Sequence, residues 1–189
     1  AIELSGQFTV GGATSGDGLT IANNICEDSR GGVRAEQYPA RVSIIGNICR
    51  NNEASGIWLF PVLSAVVVGN QCYGNGDHGI HALAQPNNGS THSTYCAIEG
   101  NSCHDNDDYG IAFQGAKYSR ASDNIVTDNG AGAFGFYTDQ GDVCEDIEIV
   151  DNTIVQNGGN WFFGDGAHSS IALVGNRCIG VPTNEVIGF

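Results

Sequence analysis

The sequence predicts an all-β, single-domain solenoid of about seven stacked coils. Three observations predict it: an asparagine recurs in register about every 23 residues, short alternating strands lie between these asparagines, and helical periodicity is absent throughout. Aligned on that asparagine, the chain reads ANNICEDS, GNICRNN, GNQCYGN, GNSCHDN, DNIVTDN, DNTIVQN and GNRCIG. The anchors are Asn24, Asn47, Asn70, Asn101, Asn124, Asn152 and Asn176, separated by 23, 23, 31, 23, 28 and 24 residues.

Each unit holds the same parts in the same order. Two residues after the anchor stands a small or medium apolar side chain: Cys26, Cys49, Cys72, Cys103, Val126, Ile154 and Cys178. Five residues after it, Asn52, Asn75, Asn106, Asn129 and Asn157 recur. A Gly or Ala before an apolar residue follows, as in Gly32-Val33, Gly56-Ile57, Gly79-Ile80, Gly110-Ile111 and Ala133-Phe134. Runs such as VSIIGN, AVVVGN and IEIVDN supply the remaining strand. A unit of this size has no helix to cover its strands, so it buries its apolar face only by stacking on its neighbours, at roughly 4.8 Å per coil. The coils are expected over residues 20–180, with an N-terminal strand and cap over 1–19 and a C-terminal cap over 181–189.

This pattern resembles the right-handed parallel β-helix repeat proteins, the pectate-lyase-like superfold, over about residues 20 to 180. Within that superfold, NGDHGIHAL at 75–83 is similar to the His-Gly-aliphatic turns of alginate C5-epimerases and polyuronate lyases, and His78 matches the histidine of their substrate groove. The chain departs from them in having no Asp-Pro-His-Asp motif, and Lys117 is its one lysine. The resemblance extends to phage tailspikes. It implies a polysaccharide partner, an extracellular or virion-surface location and, from the tailspikes, a homotrimer.

Composition sets further bounds. With Lys+Arg 7 against Asp+Glu 21, the net charge of −14 argues against a nucleic-acid partner, because most of the surface would repel a phosphate backbone. No run approaches the ~18 consecutive apolar residues of a membrane helix, so no membrane partner is expected. Seven cysteines, an odd number, exclude complete pairing within one chain; Cys96 and Cys144 lie off the ladder and their state is open.

GNSCHDN at 100–106 sets a nucleophile, a base and an acid side by side in Cys103, His104 and Asp105. Neighbours in a strand point to opposite faces, so a core-facing Cys103 sends His104 to solvent and no triad forms. The ladder cysteines are read as core side chains.

Chemistry is expected on the outward rows of the strand after the Gly-Ile turn. If Val33, Ile57, Ile80, Ile111 and Phe134 point inward, then Arg34, Trp58, His81, Ala112 and Gly135 point out, followed by Glu36, Phe60, Leu83, Gln114 and Tyr137. Trp58, Phe60 and Gln114 are the candidate sugar-binding residues. For proton abstraction at C5 of a uronic acid, His81 or His78 is the candidate base, Arg34 the carboxylate partner, and Tyr137 or Glu36 the acid. The alternative is a non-catalytic spike or adhesion segment.

Two insertions, 84–95 with His92 and 138–146 with Asp139, Asp142, Glu145 and Asp146, flank this surface. Asp77 and Asp108 take equivalent turn positions on adjacent coils. No metal site or cofactor is expected. Calcium at the acidic loop is the only ion the residues suggest, without an EF-hand or nonapeptide pattern to support it.

Overall fold

The computed structural model describes residues 3–5, 8–11, 18–36, 41–84, 92–156, 158–166, 168–181 and 184–187. They form three parallel sheets wound as one solenoid. The first sheet has eight strands, from Glu3–Ser5 to Arg177–Ile179. The second also has eight, from Phe8–Gly11 to Asn184–Ile187, and the third has seven, from Leu19–Ala22 to Ser169–Val174.

The corners explain the GN and DN dipeptides. The residue before each anchor asparagine has a left-handed backbone, with φ of 58° at Asn23, 63° at Gly46, 65° at Gly69, 60° at Gly100, 57° at Asp123, 54° at Asp151 and 67° at Gly175. Gly, Asn and Asp are the residues that tolerate this region. A second corner, at Asn51, Gly74, Asp105 and Asp128, repeats the device after the three-residue strand. GNSCHDN is therefore a corner, a rung and a corner.

Each bend is closed by stacked amides. The Oδ1 atoms of Asn47, Asn70, Asn101, Asn124, Asn152 and Asn176 each accept from the backbone N–H and the Nδ2–H of the asparagine one coil earlier, at 2.8–3.0 Å. Their Nδ2 groups also donate to Ile21, Ile44, Val67, Ile98, Ala121 and Ile149 carbonyls. Asn52, Asn75, Asn106 and Asn129 form a second ladder. The expected next member, Asn157, lies outside the described residues; Gln156 bonds to the Asn129 backbone through its side-chain amide.

Between the ladders, Cys26, Cys49, Cys72, Cys103, Val126 and Ile154 are wholly buried in one register column that continues to half-buried Cys178. All seven cysteines are free thiols. Cys96 and Cys144, left open by the sequence, are buried in the core, and burial pushes their pKa up to about 12 and about 11. His104 points out, stacked on Tyr73 with ring centroids 4.8 Å apart and bonded to Asp105. No triad forms.

The first and last described strands continue the sheets at their edges. Glu3–Ser5 and Phe8–Gly11 pair in parallel with Ile25–Glu27 and Val33–Glu36, and Asn184–Ile187 pairs with the strand at Asn160–Gly164. These segments are rungs, because their backbones meet open parallel edges of the adjacent coils.

Candidate functional site

The site lies on the outer face of the second sheet. Register pairs Arg34 with Trp58, Trp58 with His81, His81 with Ala112 and Ala112 with Gly135. In the next outward row Glu36 pairs with Phe60, Leu83 with Gln114, and Gln114 with Tyr137. The sequence-derived rows are thus assembled as expected.

Their exposure is not uniform. His81 points outward, yet it is only 6% exposed, and Ala112 and Gly135 are buried. Rings lie over the row at Gly135, where a Cβ would stand 2.9 Å from the Tyr109 ring and 3.0 Å from that of Tyr137. His78, Tyr109, Tyr137 and Phe163 form this covering layer, with ring centroids 5.8–6.2 Å apart. His78 meets His81 edge-on at 4.3 Å.

Arg34 closes the other end. Its Nη2 bonds Glu36 Oε1 at 3.1 Å, and its guanidinium carbon lies 5.0 Å from the Trp58 ring centroid and 5.5 Å from that of Phe60. Arg34, Trp58, Phe60 and Leu83 line a small slot of about 70 Å³. The carboxylate expected to act as an acid is tied to Arg34, across the row from the histidines.

The tautomers of both histidines follow from their partners. Trp58 Nε1–H donates to His81 Nδ1 at 3.1 Å, so the neutral ring carries its proton on Nε2. Gln114 approaches and favours the protonated ring, but no hydrogen bond of normal geometry reaches Nε2. In this arrangement the His81 lone pair is therefore engaged by Trp58. His78 Nδ1 accepts from the Tyr109 backbone N–H at 3.2 Å, leaving its Nε2 3.4 Å from Asp77 Oδ1. Asp108 Oδ2 lies 3.6 Å from His78 Nδ1.

Burial lowers the pKa of both rings; it acts at His78 against Asp77 and Asp108, and at His81 it is reinforced by His78. Burial raises the Asp108 carboxyl and the Tyr137 phenol above their ordinary ranges. Each histidine titrates lower folded than unfolded, so the unfolded chain takes up more protons as pH falls below 6.5. Stability contributed by the neutral rings is present above that pH and is lost on acidification toward their folded pKa values. Urea denaturation at pH 7.5 and 5.5 is expected to give a lower midpoint at pH 5.5, and His81→Gln is expected to shrink the difference.

Among the described residues, the insertions bring no ionic group to the site. His92 Nδ1 lies 2.9 Å from the Gly115 carbonyl, and residues 85–91 are outside the described residues. Asp139 and Asp142 pair through their backbones in a tight turn. Glu145 and Asp146, expected in the acidic loop, instead begin the strand Glu145–Val150, where Glu145 pairs with Lys117 at 3.1 Å.

The geometry can be set beside known proteins. The Azotobacter vinelandii mannuronan C-5 epimerase AlgE4 A-module superposes with a TM-score of 0.64 at 17% identity, covering 89% of this chain and 55% of that one. The AlgE6 A-module of the same organism gives 0.52 at 14% identity, covering 89% and 56%. The chain thus spans about half the length of these modules, and the likeness is one of fold. No curated protein matches. A family match extends over residues 11–169, nearly the whole run of coils. On that match, this chain belongs to the family described as periplasmic copper-binding protein (NosD).

Proposed function

We propose that the chain is a polysaccharide-binding β-helix module of the periplasm or extracellular space, holding a uronate-containing chain along the Arg34–Trp58–His81 row. One observation carries the reading: Arg34 Nε and His81 Nε2 are buried N–H groups that make no hydrogen bond of normal geometry among the described residues, and they flank Trp58 on consecutive coils. An unmet buried donor costs about 1–3 kcal/mol, and sugar hydroxyl or carboxylate oxygens are acceptors of the right kind. Trp58 and Phe60 add aromatic faces for a sugar ring. The epimerase neighbours and the family's periplasmic description support both the substrate class and the location.

A second reading, proton transfer at C5, is favoured by the gathering of Asp77, His78, Asp108, Tyr109 and Tyr137 beside this row. With the lone pairs of both histidines engaged, Asp108 replaces them as its candidate proton-transfer group.

Copper is named in the family's description, and Asp77, His78 and His81 bring ligand-capable atoms within 4.8 Å of one another. As placed they do not fit it. Both imidazole lone pairs already accept hydrogen bonds, from Trp58 and from the Tyr109 backbone, so ligation would break both.

Calorimetric titration with mannuronate and galacturonate oligomers tests the reading. Saturable binding is expected, weakened about tenfold by Arg34→Ala and by Trp58→Phe. Wild-type protein that binds no polyuronate sinks it and leaves the adhesion-segment alternative. Absorbance of an unsaturated product, or epimerisation seen by NMR, separates catalysis from binding.

A further inference from the structure

The third sheet carries a feature that the first site does not use. Tyr95, Tyr118, Asp146 and Ser170 occupy one register position on four successive coils, and all have left-handed backbones, with φ of 52°, 51°, 52° and 56°. Tyrosine in this region is a genuine outlier, and such strain persists where the surroundings or a function hold it. The first two rings stack at 5.5 Å and 20°, and they are 64% and 43% exposed. The column of rings then ends, because Asp146 and Ser170 are too short to continue it.

The space left by the missing rings is a depression of about 470 Å³. Tyr118, Asp146 and Ser170 form its wall, while Arg120, Glu148 and Ala172, paired across consecutive strands, form its floor. Arg120 lies 3.8 Å from Glu148, so its charge is balanced, and Asp146 adds a carboxylate with no ion pair among the described residues. An anionic ligand would be repelled, whereas sugar hydroxyls suit every polar group present.

We propose that this depression is a second glycan site, taking an uncharged, hydroxyl-rich sugar ring stacked on the free face of Tyr118 as the next member of the aromatic column. Arg120 and Ser170 donate to ring hydroxyls and Asp146 accepts from them. Its ligand differs in charge from the uronate of the Arg34 row, so the two sites are separable.

Calorimetric titration with neutral tetrasaccharides of glucose, mannose, xylose and galactose, alongside a mannuronate tetramer, tests it. At least one neutral oligomer is expected to bind, about tenfold more weakly to Tyr118→Gly and within about threefold of wild type to Tyr118→Phe. Glycine suits the left-handed backbone, so Tyr118→Gly is expected to melt within about 3 °C of wild type, separating lost binding from lost folding. Trp58→Phe is expected to leave neutral binding intact. The proposal is overturned if no neutral oligomer binds, if Tyr118→Gly binds one undiminished, or if only the acidic oligomer binds at this site.

Discussion

Asn101→Ala is expected to destabilise the protein by about 3–5 kcal/mol. Asn101 is 1% exposed, and its Oδ1 is the acceptor for the Asn70 backbone N–H and side-chain amide. Its Nδ2 donates to the Val67 carbonyl and to Asn124 Oδ1. Alanine leaves the Asn70 N–H without that acceptor and the Val67 carbonyl without that donor, both between coils where water does not reach. The control is Asn24→Ala at the half-buried first rung, where the lost bonds are donations to Ala22 and Asn47. It is expected to cost about 1 kcal/mol. Urea denaturation of both variants checks the difference, and equal losses would refute the account of the ladder as a buried chain of mutually dependent bonds.

Gly79→Ala is expected to cost at least ~3 kcal/mol or to abolish soluble expression. A Cβ at Gly79 would stand 2.6 Å from the Gly110 carbonyl oxygen, 3.0 Å from Asn106 Nδ2 and 3.1 Å from Cys103 Cβ. The first of these is backbone of the next coil, which cannot yield without opening the strand pairing beside it. Gly32 and Gly56 meet the same obstacle, at 2.2 Å from the Gly56 oxygen and 2.9 Å from the Gly79 oxygen. Gly31→Ala is the matched control, since its Cβ would meet only the Ser55 oxygen at 3.6 Å. It is expected to change stability by less than about 0.5 kcal/mol. Thermal melts of the pair decide the matter: similar melting temperatures would mean that the coils can spread apart at this corner.

The architecture was legible because a solenoid writes its register into the chain. Seven asparagines at matching offsets predicted their own stacking, and the residues two places later predicted the buried column from Cys26 to Cys178. The inward and outward rows of the second sheet followed from strand alternation. What periodicity cannot convey is what lies over an outward side chain. His81 is covered where the His78 ring meets it edge-on, and Tyr109 and Tyr137 close over the same row at Gly135, of which the sequence held a signal in Ala112 and Gly135. Outward positions that shrink to a methyl or a hydrogen mark where rings lie flat above them. The hydrogen bond from Trp58 to His81 was likewise beyond reach, since register places the two side chains on adjacent rungs without fixing the ring orientation that engages the lone pair. Gln156 went unread as a ladder member because the repeat was aligned on asparagine alone. Tyr118 went unread since nothing in its neighbourhood of sequence announces a left-handed backbone.

The asparagine ladder makes length a free variable. Each internal rung offers the same acceptor to the coil before it and the same donor to the coil after it, so a tandem duplication of one 23-residue segment would splice in with both new junctions already matched. Such a lineage grows or shrinks by whole units while its outer rows diverge freely, and proteins built this way are expected to differ more in reach than in cross-section.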